Sequence, residues 1–176
     1  RAASVKEEIA FALQHEDLAG IFGKLLENGE VPLRVTHNDT KLNNIMIDLE
    51  TGKGICVVDL DTVMPGLAMN DFGDAIRFGA STALEDEKDL SKVSCDMELY
   101  EIYVKGFLES CGDKLNAREI EMLPMGAKVM TYECGIRFLT DYLEGDHYFK
   151  IDREDHNLDR CRTQFKLVAD MEQKWE

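Results

Sequence analysis

The sequence predicts an α+β domain that is mostly helical, with one small β-hairpin near its first third presenting a site. Three observations predict this. Apolar residues recur at spacings of three and four over residues 4–28 and again over long segments beyond residue 71. Two β-branched apolar runs, 44–48 and 54–60, are separated by Glu50-Thr51-Gly52-Lys53. No stretch rich in Pro, Gly or Ser divides the 176 residues, so they form one domain, with 44% hydrophobic residues to build its core.

The elements follow in order. Val5, Ile9, Leu13, Leu18, Ile21, Phe22, Leu25 and Leu26 place one apolar stripe on a helix that Asn28-Gly29 ends. Residues 33–36 are a short extended piece, and the hairpin follows. A turn about Thr51-Gly52 sets Asn44 opposite Asp59 across its two arms. Beyond it the amphipathic segments 71–80, 96–111, 117–143 and 154–174 are helices. Glu85 to Asp89 and Gly112-Asp113 are loops between them. His15, His147 and His156 stand singly, as ordinary hydrogen-bonded histidines do, and the eight methionines are core filler.

Charge narrows the function. Thirty-five acidic against 20 basic residues give a net charge of −15, which repels phosphate backbones and anionic lipid, and no basic patch offsets it. Nucleic acid and membrane surfaces are therefore not expected partners. The longest apolar runs fall far short of the roughly 20 residues of a spanning helix. Residues 4–9 do not read as a signal peptide, and five widely spaced cysteines without a CxxC pair suit a reducing compartment. The expected location is cytoplasmic.

The chemistry concentrates in His37-Asn38-Asp39-Thr40-Lys41-Leu42-Asn43-Asn44 and, across the hairpin, Asp59. An amide oxygen and a carboxylate at the mouth of one hairpin are hard ligands suited to Mg²⁺, which keeps several waters and takes few protein ligands beside substrate phosphates. Asp39, on the preceding loop, reaches the same mouth, where a base for a substrate hydroxyl belongs. Lys41 adds a cation beside it. A metal to neutralise phosphate, a carboxylate to orient an alcohol and a cation for the transferred group are what phosphoryl transfer requires.

His37, Asp39 and Asn44 fit the kinase pattern H-x-D-x-x-x-x-N. On it the chain resembles the C-terminal lobe of the aminoglycoside phosphotransferase and choline kinase group, which shares the protein-kinase catalytic loop. The resemblance implies Asp39 as catalytic base, Asn44 and Asp59 as magnesium ligands, His37 as a structural member of the loop and Lys41 as a contact to the γ-phosphate of ATP. Within the group, the runs Asp59 to Gly66, Asp71 to Arg77, Gly135 to Asp146 and His156 to Arg160 look most like the N-acetylhexosamine 1-kinases. Arg137 and Tyr148 match the arginine and tyrosine that contact the hexosamine there. Asp61 and Asp74 support the site with His37, Asp74 by bracing the loop.

Two other motifs compete. Asp71-Phe72-Gly73 spells the protein-kinase metal motif but lies beyond the hairpin at a helix start, where capping free N–H groups explains Asp71, so Asp59 is the better ligand. Asp59-Leu60-Asp61-Thr62-Val63 also spells a phosphatase nucleophile motif, whose fold needs further parallel strands that residues 71–176 do not offer.

The expectation is therefore a magnesium-dependent kinase lobe, residues 1–176, that transfers the ATP γ-phosphate to a sugar, at the anomeric hydroxyl of an N-acetylhexosamine. The chain opens on Arg1, and no strand-rich segment with a strand lysine precedes residue 31. It thus reads as a fragment whose nucleotide-binding lobe is missing in cis and which is inactive alone. The alternatives are a kinase for another small alcohol, such as choline, homoserine or an aminoglycoside, and a non-catalytic kinase-like binding domain.

Overall fold

A computed structural model describes residues 1–175. Two short helices open the chain, α1 (Lys6–Gln14) and α2 (Ile21–Glu27), where the sequence predicts one. A 3-10 turn over Glu16–Gly20 divides them; of the predicted stripe, Val5, Leu18, Phe22 and Leu25 are buried, whereas Leu13 and Leu26 are exposed. Gly29, at φ +71°, turns the chain out of α2.

Strand β1 (Arg34–Thr36) pairs antiparallel with β4 (Met64–Gly66), and β2 (Ile45–Ile47) pairs with β3 (Gly54–Val57). The hairpin is as expected, but its register is not. Asn44 meets Val58, whose N–H donates to the Asn44 carbonyl at 2.9 Å, instead of Asp59. Asp48 is the cause: its carboxylate accepts from the N–H groups of Glu50 and Thr51 at 3.0 and 2.7 Å, which pulls the turn toward the first arm. An irregularity between Met46 and Ile47 then shifts the pairing again. Asp59 lies just past the ladder, in the left-handed region at φ 61°. Strand β4 is not foreseen because Met64-Pro65-Gly66 carries no strand signature. Pro65 faces Val35 in a two-stranded ribbon, where a missing N–H costs little.

The helical body follows: α3 (Ala68–Gly79), α4 (Met97–Cys111), α5 (Ala117–Glu121), α6 (Leu123–Glu144) and α7 (His156–Lys174). The segment 117–143 is two helices because the chain turns at Met122, just before Pro124 sits in the first turn of α6. Helix α6 is the spine, with α3 packed on one side and α7 on the other. Its approach to α3 depends on two glycines. A Cβ on Gly73 would lie 2.2 Å from the Gly126 carbonyl oxygen, and one on Gly126 would lie 2.2 Å from that of Met69. The glycine of the Asp71-Phe72-Gly73 motif thus serves helix packing, and Phe72 is fully buried against Tyr100 and Phe107 of α4. Phe72 joins Met69, Ile76, Leu167 and Met171 in one core cluster, and Val5, Tyr132, Phe138, Leu158 and Phe165 form a second between α1, α6 and α7. Each such side chain stabilises the fold by about 1.5–3 kcal/mol on burial.

Two polar ties fix the strands and loops to this body. Fully buried Glu119 completes a capping box with Asn116 at the start of α5 and accepts both Nε and Nη2 of Arg34, each at 2.6 Å, which fastens β1 to the helices. Asp170 of α7 accepts the Cys95 N–H at 2.7 Å and holds the segment before α4. No helix among the described residues is long and apolar enough to cross a membrane.

Candidate active site

The loop from His37 to Asn44 runs between β1 and β2, and its backbone is held from three sides. Asp71 accepts the N–H of His37 on Oδ2 and that of Asn38 on Oδ1, both at 2.8 Å. Thr62 donates its hydroxyl to the His37 carbonyl at 2.7 Å. The His37 ring reaches the Val58 carbonyl through Nε2 at 3.0 Å, so that nitrogen carries the proton and ties the loop to the end of β3. Asn38 sits in the left-handed region at φ 64°, a conformation Asn tolerates better than most residues.

These bonds correct two expectations. Helix α3 starts at Ala68, so Asp71 lies inside its first turns and caps nothing; its carboxylate braces the catalytic loop. Asp74 does not. Its Oδ1 accepts Nε and Nη2 of Arg77 at 3.0 and 2.8 Å, its Oδ2 is buried without a partner, and it reaches the loop only through the field it exerts on Lys41.

Asp39 is the acid of this loop, and two side chains hold it. Its Oδ2 accepts Lys41 Nζ at 2.8 Å and Asn44 Nδ2 at 2.9 Å, while the same Asn44 amide also donates to the Asp39 carbonyl. Both side-chain bonds land on Oδ2, which leaves Oδ1 for a substrate hydroxyl. Burial pushes this carboxyl up, but the hydrogen bonds from Lys41 and Asn44, with the Lys41 charge, outweigh it and hold Asp39 below the usual carboxylate range. Lys41 is raised in turn, chiefly by its bond to Asp39.

Asn44 is buried and spends its N–H groups on Asp39, so its Oδ1 is the atom left for a cation. Asp59 is exposed, and its carboxyl is raised first by its hydrogen bond with Asp61, then by repulsion from Asp61 and from Asp39. Asp39, Asp59 and Asp74 all act on the one Lys41 charge, and an amide oxygen and an exposed carboxylate, each coupled to Asp39, are donor types that fit a hard divalent cation. Among the described residues, no three His, Cys, Asp or Glu side chains gather as a metal cage.

On its other side Asp39 opens onto a cleft of about 610 Å³ between the loop, α3, α6 and the segment after α6. Asp39, Lys41, Asp74, Arg137 and Tyr148 all line it; Asn44 and Asp59 do not, and connect to it through Asp39. Arg137 lies over the Tyr148 and Phe149 rings, 5.7 and 5.4 Å from their centroids, with Nη2 3.5 Å from the Tyr148 hydroxyl. Arg137 and Tyr148, 11 residues apart, thus form one patch of the cleft that Asp39 also lines.

With this geometry in view, one comparison is decisive: the sequence profile of the phosphotransferase enzyme family (APH) matches residues 1–101, more than half of the chain. The chain belongs to the phosphotransferase enzyme family. The match includes the whole loop, the hairpin and Asp71, but stops short of Arg137 and Tyr148.

Several residues around this candidate site have no signature in the sequence. Asp141, buried in α6, accepts the N–H groups of His147, Tyr148 and Phe149 at 2.8–2.9 Å and so shapes the segment that carries Tyr148. Burial raises its carboxyl, yet those three backbone donors prevail and lower it. Arg77, buried in the cleft wall, bridges Asp74 and Glu85, and Glu133 beside it is raised by burial. A buried arginine on a helix otherwise lined with Phe72, Ile76 and Phe78 is a legible signal; the contacts of Asp141 span six to eight residues and have none.

Proposed function

We propose that this chain is the catalytic-loop and acceptor-binding lobe of a kinase that transfers the γ-phosphoryl group of ATP to a sugar, at the anomeric hydroxyl of an N-acetylhexosamine. The observation that carries the proposal is Asp39, anchored through Oδ2 by Lys41 and Asn44 with Oδ1 free, in a cleft that Arg137 and Tyr148 also line. Oδ1 accepts the hydrogen bond of the acceptor hydroxyl and orients its lone pair toward phosphorus. As the new O–P bond forms and the bond to the ADP oxygen breaks, the hydroxyl proton passes to Asp39. A base held below the usual range takes it late, once the oxygen has lost most of its electron density. Asn44 Oδ1 and the Asp59 carboxylate would hold a magnesium ion, whose charge would offset that of the phosphates. Lys41 adds fixed positive charge beside the same oxygens, while His37, Asp61 and Asp71 keep the loop and the hairpin end in place.

The cleft favours a neutral polyol over a cationic acceptor. Its wall carries five cations (Lys41, Arg77, Arg137, Lys150, Arg160) against four acids (Asp39, Asp74, Glu85, Glu133), despite the acidity of the chain as a whole. Phe78, Phe138, Tyr148 and Phe149 provide ring faces of the kind that pack on a sugar.

The test is phosphorylation of N-acetylglucosamine from ATP and Mg²⁺ by the protein with its nucleotide lobe. Asp39→Ala should lower turnover by about 10²–10⁴-fold, the range of general-base effects; wild-type turnover in that variant would remove Asp39 from the mechanism. Turnover of choline or an aminoglycoside in place of the sugar would keep the kinase and discard the acceptor. The proposal places the adenine contacts outside residues 1–176, so these residues alone should bind ATP weakly and turn over negligibly.

A further inference from the structure

The chain has eight arginines and 35 acids available to pair with them. Six of the arginines donate to a carboxylate: Arg1, Arg34, Arg77, Arg118, Arg153 and Arg162. Among the described residues the two that do not are Arg137 and Arg160, and both line the acceptor cleft. Arg160 forms no ion pair there. Its Nη1 donates to the Lys150 carbonyl at 3.1 Å and to Asn157 Oδ1 at 3.0 Å, which leaves Nε and Nη2 without a partner. Arg137 meets an acid only through Nε, 3.7 Å from Glu133, and its Nη2 has the Tyr148 hydroxyl at 3.5 Å, so both Nη groups remain for a ligand. Lys150, exposed on the same cleft, has only Asp152 within reach, 3.9 Å from its Nζ.

The three cations are mounted together. Arg137 lies 5.4 Å from the Phe149 centroid and Arg160 5.5 Å from that of Phe138, and the two rings are 4.7 Å apart. Lys150 follows Phe149 in the chain, and the bond from Arg160 fixes its carbonyl. A guanidinium seated on a ring keeps its N–H edge for an oxyanion. One carboxylate would occupy one such fork, whereas a phosphate monoester brings three acceptor oxygens and nearly two charges, which suits three cations that no acid of the chain engages closely. We infer that Arg137, Lys150 and Arg160 form a phosphate-binding subsite of the cleft, and that the acceptor is a sugar already carrying a phosphate ester on its primary carbon, the exocyclic position that lets the group reach away from the anomeric hydroxyl. The inference rests on the sugar kinase proposed above and goes beyond it, since that reading asks only for a neutral sugar.

Calorimetric binding of N-acetylglucosamine, N-acetylglucosamine 6-phosphate and inorganic phosphate to the 176-residue chain, and to Lys150→Gln and Arg160→Gln, tests it. On the unmodified chain the sugar phosphate should bind about tenfold more tightly than the plain sugar, the effect of one charge-assisted hydrogen bond. Inorganic phosphate, which lacks the contacts of the sugar, should bind more weakly than the sugar phosphate. Each variant should shrink the ratio of the two sugar Kd values severalfold. The ratio is taken within one protein, so a general loss of folded chain cancels from it, and the exposed Lys150 can change without disturbing the core. Equal affinity of the unmodified chain for the two sugars, a ratio unchanged in both variants, or inorganic phosphate binding as tightly as the sugar phosphate overturns the inference and leaves the sugar kinase standing. If neither sugar binds, the sugar acceptor itself falls, and the inference with it.

Discussion

Replacing Asp71 by Asn separates two roles that sequence alone does not distinguish. If Asp71 capped a helix, Asn would serve nearly as well, since the two rank together as N-caps, and stability would change by a few tenths of a kcal/mol. In the structure its two carboxylate oxygens instead accept from separate backbone groups, one from the His37 N–H and the other from the Asn38 N–H, both at 2.8 Å. Asn retains one acceptor and turns an NH₂ group on the second N–H. The variant loses one charge-assisted bond, worth about 1.5–3 kcal/mol, and sets donor against donor, while the surviving bond falls toward the neutral value of about 1 kcal/mol. Because the site is half-buried, the lower end applies, and the expected loss is about 2–3 kcal/mol. With a urea m value of about 2 kcal/mol/M, the unfolding midpoint should fall by about 1–1.5 M at unchanged m. Hydrogen exchange should quicken at the amides of His37 and Asn38 above all, because the left-handed turn at Asn38 loses its clamp. A midpoint shift worth under 0.5 kcal/mol, with those two amides as protected as before, would refute the brace.

Gly73→Ala tests the closest backbone approach in the fold. In an open helix the change would stabilise by about 0.5–1 kcal/mol, but here the new Cβ meets a backbone carbonyl at 2.2 Å, and α3 and α6 must separate. We expect a loss of about 3 kcal/mol, seen as a fall in Tm of about 6–12 °C; an unchanged or raised Tm would show that the helices are not in contact there. Lys41→Met removes the bond and the charge that hold Asp39 low while the burial that raises it remains, so the carboxyl midpoint, followed by ¹³C NMR, should move up. A depressed carboxylate contributes stability that is present above its unfolded value of about 3.9 and is lost as pH falls through the folded one. Unfolding free energy should therefore drop less between pH 5 and pH 2 in Lys41→Met than in the unmodified chain, and an identical slope would mean that Lys41 and Asp39 do not interact.

The parts of the fold and site that were legible in the sequence are those written in local periodicity or short spacing. The stripes of α4 and α7 and the turn residues of the hairpin announced their elements, and Asp39, Lys41 and Asn44 lie within six positions of one another, so a loop brings them together. What failed was whatever depended on a single residue of phase. The hairpin register moved because Asp48 bonds into its own turn, and α3 began three residues early because the acidic residue that attracted the capping argument turns its carboxylate to the loop and leaves the helix to start at Ala68. Long-range partners had no local signature at all: Glu119 is 85 residues from Arg34, and Asp71 is 34 from His37.

The distribution of charge ties these observations to the proposed reaction. At a net charge of −15 the chain repels an incoming nucleotide at long range, but exposed charges act over only about 8 Å at physiological ionic strength. Around the cleft the balance reverses: Lys41 stands at the loop, Arg77 and Arg137 line the wall, and the acids there are already engaged, Asp39 with Lys41, Asp74 and Glu85 with Arg77, Glu133 with Arg137. A local surplus of negative charge remains at Asp59 and Asp61 past the hairpin, where their hydrogen bond and then their repulsion raise Asp59 and a divalent cation would relieve it. Under the proposed reaction the acids of the site divide into two groups: Asp39, Asp74 and Glu85, each paired with a cation, orient groups without repelling phosphate, while Asp59 and Asp61, set against each other, would attract a metal. A single carboxylate asked to do both would be neither free to meet a hydroxyl nor available to a cation, so the proposal gives the base to Asp39 and the metal to Asp59, which the hairpin separates in sequence.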